Sequence, residues 1–150
     1  MNAIKADPKW IGARVAQAEV LLGLRDGAGA EAELDWAVQL GLDPAAVRHL
    51  YGHAYSLQGE AQKARDQLLT NDIPPKNQGY AARIMGQVAL QMGEEQLAGA
   101  AYNRAMALDG HKPDLWVHIS RFRSRSGDQA GTTKSPDDPV ERDHAQTRAA

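Results

Sequence analysis

The chain contains no cysteine among its 150 residues, and this absence excludes several classes of chemistry. Without thiols the protein cannot form a disulfide, an iron–sulfur centre or a thiolate zinc site. Cysteine usage therefore gives no information about the redox state of the compartment in which the protein works.

Aromatic residues and long apolar runs are also scarce. Aromatic content is 5%, and the sequence has no run of about 18 apolar residues, the length that a transmembrane helix needs. Lys5, Asp7, Pro8 and Lys9 stand where the apolar region of a signal peptide would lie. As written, the sequence predicts a cytoplasmic protein. A periplasmic or envelope location is the alternative if upstream sequence is missing.

The charge balance gives no general reason to expect nucleic acid or an anionic membrane as a partner. The formal net charge is −2 and the isoelectric point is near 6.2. The run 121–126 contains three arginines, but it is short, and we interpret it as a solvated helix face. An RNA-binding helical repeat stays as an alternative, which would predict steeply salt-dependent binding to RNA.

An internal repeat is the strongest feature of the sequence. Ala18, Gly52 and Gly86 are separated by 34 residues (52 − 18 = 86 − 52 = 34). Several further columns share this period: Ala30, Ala64 and Ala98; Leu34, Leu68 and Tyr102; Arg25, Gly59, Gly93 and Gly127; Asp26, Glu60, Glu94 and Asp128. Because independent columns recur in phase, the period indicates a stack of similar structural units.

The residue types in these columns predict helical hairpins. Small residues allow two helices to approach closely, and the large residue of each unit, such as Leu68, fills the space beside them. The column of Gly59 and Gly93 predicts the positive φ that ends a first helix. The acidic column that follows, including Asp26, predicts the start of a second helix, where negative charge complements the helix dipole.

This period and order of residues resemble the tetratricopeptide repeat, whose pattern is W-x2-L-G-x2-Y followed by A-x3-F. The closest match is the segment 51–55, Tyr-Gly-His-Ala-Tyr, followed by Gly59 and by Ala64-x3-Leu68. The resemblance covers roughly residues 1–127. It implies an all-α fold, a right-handed α-solenoid of helix-turn-helix repeats, and protein–protein binding without catalysis or a cofactor.

The pattern divides the chain into repeats. Helices are expected near residues 10–24, 28–41, 45–58, 61–70, 77–92, 95–109 and 113–125. The expected units are residues 1–8, a remnant of a preceding repeat's second helix; 9–44, 45–78 and 79–112, three repeats; 113–127, the first helix of an incomplete repeat; and 128–150, a disordered tail.

The two ends of this pattern carry further expectations. Because the first unit lacks its first helix, we expect the chain to be an internal piece of a longer array or the product of a misassigned start. At the other end, Trp116, Ile119 and Phe122 continue the apolar pattern through one more first helix, and no second helix is predicted to complete this last hairpin. The C-terminal helix is therefore expected to mediate self-association.

The sequence offers no combination of residues that predicts catalysis. It lacks the nucleophile elbow, the phosphate-binding loop, the zinc-protease helix motif and the calcium-binding loop. His49 and His53 are four residues apart and could share a metal ion, but the sequence supplies no third ligand. We interpret them as residues that line a groove. Glu31, Glu33 and Asp35 lie near a helix start, where compensation of the helix dipole and solvation are the expected roles.

A binding surface is expected along the first helices of the hairpins, because the resemblance implies that these helices line the concave face. The residues in the corresponding columns are predicted to contact a peptide or partner protein. These residues are Glu19, His49, His53, Tyr80, Arg83, Gln87, Gln91 and Arg121.

Two functional hypotheses follow. The first is a bacterial-type interaction scaffold, with no catalytic residue, metal or cofactor, which binds a peptide or protein in this groove. The second is an accessory or regulatory segment of a larger enzyme, or of an envelope secretion or polysaccharide assembly system. No sequence feature identifies the partner.

Overall fold

The computed structural model describes residues 8–130, and this part of the chain is helical without a β-strand. The all-α prediction is confirmed. The seven α-helices are α1 (Pro8–Gly23), α2 (Gly27–Gln39), α3 (Arg48–Leu57), α4 (Ala61–Leu68), α5 (Pro75–Gln91), α6 (Glu95–Asp109) and α7 (Pro113–Ala130). A 3-10 turn, Pro44–Val47, precedes α3.

The segment from Asp43 to Val47 differs from the expected start of a helix near residue 45. The Asp43 carboxylate accepts a hydrogen bond from the Ala45 amide at 3.0 Å, and Pro44 occupies the first position of the turn. Proline fixes φ and is tolerated where no amide donor is needed. The capped proline therefore forms a separate 3-10 turn, and the regular α-helix begins only at Arg48.

Three hairpins, α1–α2, α3–α4 and α5–α6, have the same turn between their helices. Arg25, Gly59 and Gly93 adopt φ of 63°, 75° and 75°. The amide of the next residue then donates to a carbonyl near the end of the preceding helix: Asp26 to Leu21 at 2.8 Å, Glu60 to Tyr55 at 2.9 Å and Glu94 to Ala89 at 2.8 Å. The predicted left-handed turn is therefore present in all three hairpins.

The acidic column precedes each second helix as expected, but only Asp26 caps a helix with its side chain. Its carboxylate accepts from the Gly29 amide at 2.8 Å. Glu60 and Glu94 make no side-chain capping bond and pair instead with Lys63 and Arg65. The two glutamates, which have longer side chains, therefore form ion pairs. Asp26, at the equivalent position of the first hairpin, accepts a hydrogen bond from the backbone instead.

Small residues allow the helices of each hairpin to approach closely. A β-carbon at Gly52 would lie 2.5 Å from Leu68 Cγ, and one at Gly86 would lie 2.6 Å from Tyr102 Cε1. Ala30, Ala64 and Ala98, which occupy one column, are fully buried. The predicted pairing of small and large residues is therefore present within the hairpins.

The first helices lie side by side, because α3 contacts both α1 and α5. Helix α3 also packs against α2, and α5 packs against α4. The core of the first two hairpins is formed by buried apolar residues from α1 to α3, including Leu22, Leu34 and Leu50. This order of contacts places Glu19, His53 and Gln87, which share one column, on successive first helices.

Three acidic residues of α2 have a different role from the one expected. Glu33 pairs with Arg14 at 2.9 Å, Asp35 accepts from the Tyr51 hydroxyl at 2.6 Å, and Glu31 accepts from the Gln58 amide at 3.0 Å. These carboxylates connect α2 to α1 and α3. Interhelical bonding therefore replaces the expected solvation of the helix start.

Helices α1 to α6 belong to one compact unit that extends to His111, and α7 belongs to a second unit. Helix α7 continues to Ala130, past the expected helix end near residue 125 and the expected end of the unit at residue 127. Gly127 lies inside this helix without a positive φ, so the prediction that it ends the helix is wrong. Glycine is also compatible with a helix interior, at a cost of roughly 0.5–1 kcal/mol relative to alanine. The expected remnant, except for Pro8, and residues 131–150 of the expected tail lie outside the described residues.

None of the helices between residues 8 and 130 combines the length and apolar character that crossing a membrane requires.

Candidate functional site

Tyr80 lies at the centre of the candidate surface. Its ring meets the His49 ring edge to face, with centroids 5.0 Å apart and planes inclined by 86°. Its hydroxyl lies 2.5 Å from Nδ1 of His53. The guanidinium of Arg83 lies over the same ring, 4.8 Å from the centroid. One tyrosine therefore connects residues from two columns of the repeat, since His49 and Arg83 share one column and His53 lies in the other.

Helical spacing accounts for this arrangement. His49 and His53 are four residues apart on α3, and Tyr80 and Arg83 are three apart on α5, so each pair lies on one face of its helix. The contact between α3 and α5 brings the two faces together. The structure thus joins these four of the predicted residues into one cluster, which we call the Tyr80 cluster.

Burial keeps the Tyr80 hydroxyl protonated at neutral pH. Burial raises its pKa to about 12, against a smaller opposing effect of Arg83, while the charge of Glu19 on α1 raises it further. A protonated hydroxyl can donate to Nδ1 of a neutral His53. The guanidinium above the ring adds a cation–π attraction of roughly 1 kcal/mol. The Tyr80 side chain is thus held from both sides.

His49 has a different role from the one that its column predicted. It is only 9% exposed, and its Nδ1 is buried without a hydrogen-bond partner among the described residues. Burial, together with the positive charge of Lys76, lowers its pKa to about 4. His49 is therefore neutral at pH 7 and supports the Tyr80 ring from inside, whereas His53 and Arg83 are half-buried and remain within reach of a partner.

The remaining predicted residues lie in different places. Gln87 is half-buried on α5, and Glu19 is exposed on α1. Gln91 donates from its amide to the carbonyl and hydroxyl oxygens of Ser56, at 3.2 and 3.1 Å, and so links the ends of α5 and α3. Arg121 is exposed on α7, in the second unit.

Two residues that the sequence reasoning missed act on the predicted residues: Ser56, which is buried, and Lys76. Ser56 binds Gln91, and Lys76 acts on the charge state of His49. Ser56 lies 35 residues before Gln91, one more than the repeat period (91 − 56 = 35). Because the two residues do not share a column, the repeat period does not predict their contact.

The geometry offers hydrogen-bonding and charged groups but no metal centre in the described residues. Between residues 8 and 130, no group of three or more histidine, aspartate or glutamate side chains could hold a metal ion. The short contact to Tyr80 also occupies Nδ1 of His53. The cluster presents an aromatic ring, an imidazole, a guanidinium and nearby amides on adjacent helices.

No protein-family model matches the chain, and neither a curated protein nor a solved structure shows significant similarity to it.

Proposed function

We propose that this protein is a non-catalytic interaction scaffold of the tetratricopeptide type, which binds a peptide or partner protein along α1, α3 and α5. The observation that carries the proposal is the Tyr80 cluster. It gathers His53 and Arg83 around one aromatic ring on two adjacent first helices.

The repeated turns support the repeat assignment. Columns 34 residues apart coincide with three left-handed turns of the same hydrogen-bond pattern and with small residues packed against Leu68 and Tyr102. In this proposal the hairpins follow one another as a right-handed solenoid. The first helices then form its concave surface.

The chemistry of the cluster favours a peptide with both acidic and hydrogen-bonding groups. Arg83 provides a cation. The imidazole of a neutral His53 and the amide of Gln87 provide uncharged hydrogen-bond donors and acceptors. Tyr80 adds an apolar ring edge that an aliphatic or aromatic side chain can contact. Aromatic and arginine residues of this kind dominate the binding energy of many protein interfaces.

The test is affinity capture by the full chain, compared with a triple variant in which His53, Arg83 and Gln87 are replaced by alanine. We expect the variant to lose the captured protein while circular dichroism shows unchanged helix content. A matched control replaces Gln62, Asp66 and Asn103, exposed residues of the second helices α4 and α6, by alanine. This control should retain the partner.

Two outcomes would overturn the proposal. Equal capture by the groove variant and the wild type would show that the partner binds elsewhere. Loss of capture after ribonuclease treatment, together with steep salt dependence, would instead support the RNA-binding alternative.

A further inference from the structure

The middle hairpin has a shorter second helix than its neighbours. Helix α4 has 8 residues, whereas α2 has 13 and α6 has 15. Ala37 and Ala105 are fully buried on α2 and α6. Asn71, which lies 34 residues from each of them (71 − 37 = 105 − 71 = 34), is exposed in the connection after α4. The middle hairpin thus lacks the helical turn that buries a small residue in the other two.

A cavity of about 440 Å³ lies where that turn is missing. It is bounded by the end of α4, the connection to α5, and the facing sides of α5 and α6. The small side chains along α5 and α6 leave the space unfilled; they are Ala81, Ala82, Ala100 and Ala101. Its size lies within the range of about 300–1,000 Å³ that is typical of small-molecule sites.

This cavity is separate from the Tyr80 cluster. Ala82 and Met85 line it from α5, and at 3.6 residues per turn they lie on the opposite side of that helix from Tyr80 and Arg83. A ligand in the cavity would therefore leave the proposed partner surface uncovered. The two sites can be tested independently.

Most of the cavity lining is apolar, and Arg104 is its one charged residue. Leu68, Ile73 and Met85 supply apolar surface, and no aspartate or glutamate is among the lining residues. None of the ion pairs found between residues 8 and 130 involves Arg104, and Asp72 of the connection is paired with Arg48 at 2.8 Å. An exposed guanidinium without a carboxylate partner in the described chain thus borders an apolar space.

The neutral polar groups of the lining are partly occupied by the chain itself. Thr70 donates its hydroxyl to the Gln67 carbonyl at 3.2 Å, and Gln78 donates its amide to the Ile73 carbonyl at 3.2 Å. These bonds hold the connection in place beside the cavity. Arg104 is the only charged residue of the lining.

We infer that this cavity binds an aliphatic monocarboxylate, with the carboxylate on Arg104 and the hydrocarbon chain between Leu68 and Met85. A guanidinium can bind both oxygens of a carboxylate through parallel hydrogen bonds. The hydrocarbon chain would remove apolar surface from water inside the cavity. A partly enclosed apolar space with one unpaired cation is complementary to a ligand with a single anionic end.

The test is a titration of the full chain with octanoate, decanoate and dodecanoate below their micelle concentrations, followed by amide chemical shifts. We expect affinity to rise about fourfold for each added methylene until the cavity is filled. Shift changes should concentrate in residues 68–73, 81–85 and 97–104. Dodecanol, which has the chain without the anion, should bind at least about tenfold more weakly. Acetate, which has the anion without the chain, should not bind measurably.

Two variants and their controls connect binding to the named residues. Arg104→Gln should weaken dodecanoate binding about tenfold or more and leave dodecanol binding unchanged. Arg25→Gln removes another exposed arginine and should have no effect. Ala100→Leu places a larger side chain at the cavity wall and should abolish binding. Ala107→Leu makes the same change at an exposed position of α6 outside the lining.

Several results would overturn the inference. Equal affinity for dodecanoate and dodecanol, or unchanged binding by Arg104→Gln, would remove the role of the guanidinium. Shift changes centred on α1 and α3 would place the ligand elsewhere. If no acid of the series binds, the inference is wrong. If a leucine-containing peptide protects residues 68–73 instead, the cavity belongs to a protein partner.

Discussion

Gly86 lies directly against the ring of Tyr102, so that a β-carbon at position 86 would stand 2.6 Å from Cε1 and 2.7 Å from Cζ of the tyrosine. Tyr102 is buried, and its ring therefore has little space into which it can move. The same relationship joins Gly52 to Leu68 in the preceding hairpin.

Gly86→Ala is expected to destabilise the protein by up to about 2 kcal/mol. Alanine gains roughly 1 kcal/mol as a better helix former, but overpacking of a buried contact costs about 1–3 kcal/mol, and the buried ring makes the second effect larger. Urea unfolding followed by circular dichroism measures the difference. Gly12→Ala is the matched control, since no atom lies within 4 Å of its added β-carbon, and it should stabilise the protein.

A second substitution tests whether the tyrosine ring causes the loss. In the Gly86→Ala background, Tyr102→Leu should recover part of the lost free energy of unfolding, because leucine occupies the same column at residues 34 and 68. If the two substitutions are simply additive, the ring is not the source of the strain.

The free energy of unfolding should fall as the pH is lowered from about 6.5 to about 4 because of His49. Its folded pKa of about 4 lies below the ordinary value of 6.5, so in this window the unfolded state binds more protons than the folded state. Above pH 6.5, His49 does not reduce the free energy of unfolding. As the pH falls below 6.5, preferential protonation of the unfolded state lowers this free energy by up to about 3 kcal/mol.

Urea unfolding at a series of pH values measures this effect, and His49→Leu isolates it from the titration of carboxylates. The variant should show a shallower loss of stability between pH 6.5 and 4 than the wild type. His111→Leu, which makes the same substitution at an exposed histidine, is the matched variant for comparison. Parallel curves for wild type and His49→Leu would contradict the assignment.

Arg25→Gly should stabilise the first hairpin by about 0.5–1 kcal/mol. Arg25 has a φ of 63°, where the other two turns have glycine, and the left-handed conformation costs a residue with a side chain roughly 1–2 kcal/mol. The gain is reduced because glycine also increases the entropy of the unfolded chain.

The reverse change at the equivalent turn provides the comparison. Gly93→Ala, at a φ of 75° with open space around the β-carbon, should destabilise the protein by about 1 kcal/mol. Thermal melts of both variants measure the pair of effects. Shifts of equal sign in the two variants would refute the backbone explanation.

Self-association through α7 remains a prediction with a direct test. Trp116 and Val117 are 45% and 50% exposed on this helix. We expect sedimentation equilibrium to show a mass that rises with concentration for the wild type, and a monomer for the double variant Trp116→Gln, Val117→Gln. Trp36→Gln, which removes an exposed tryptophan of α2, is the control. A wild-type chain that is monomeric at millimolar concentration would refute the prediction.

The sequence by itself determined the helical class, the positions of the turns and the residues that share a column. These features are local or periodic. A single sequence can indicate a glycine at a positive φ, a proline at a helix start, and a small residue opposite a large one. Such patterns predicted the turns at Gly59 and Gly93 and the contact of Gly86 with Tyr102.

The tertiary structure alone decided how residues of one column differ from one another. His49 and Arg83 occupy equivalent positions (83 − 49 = 34), yet the histidine is buried and the arginine lies over Tyr80. Likewise, the cavity beside Arg104 exists because α4 ends early while α5 and α6 do not. Burial, pKa and empty volume depend on atoms contributed by several helices at once, and the repeat period carries no information about how closely those atoms approach.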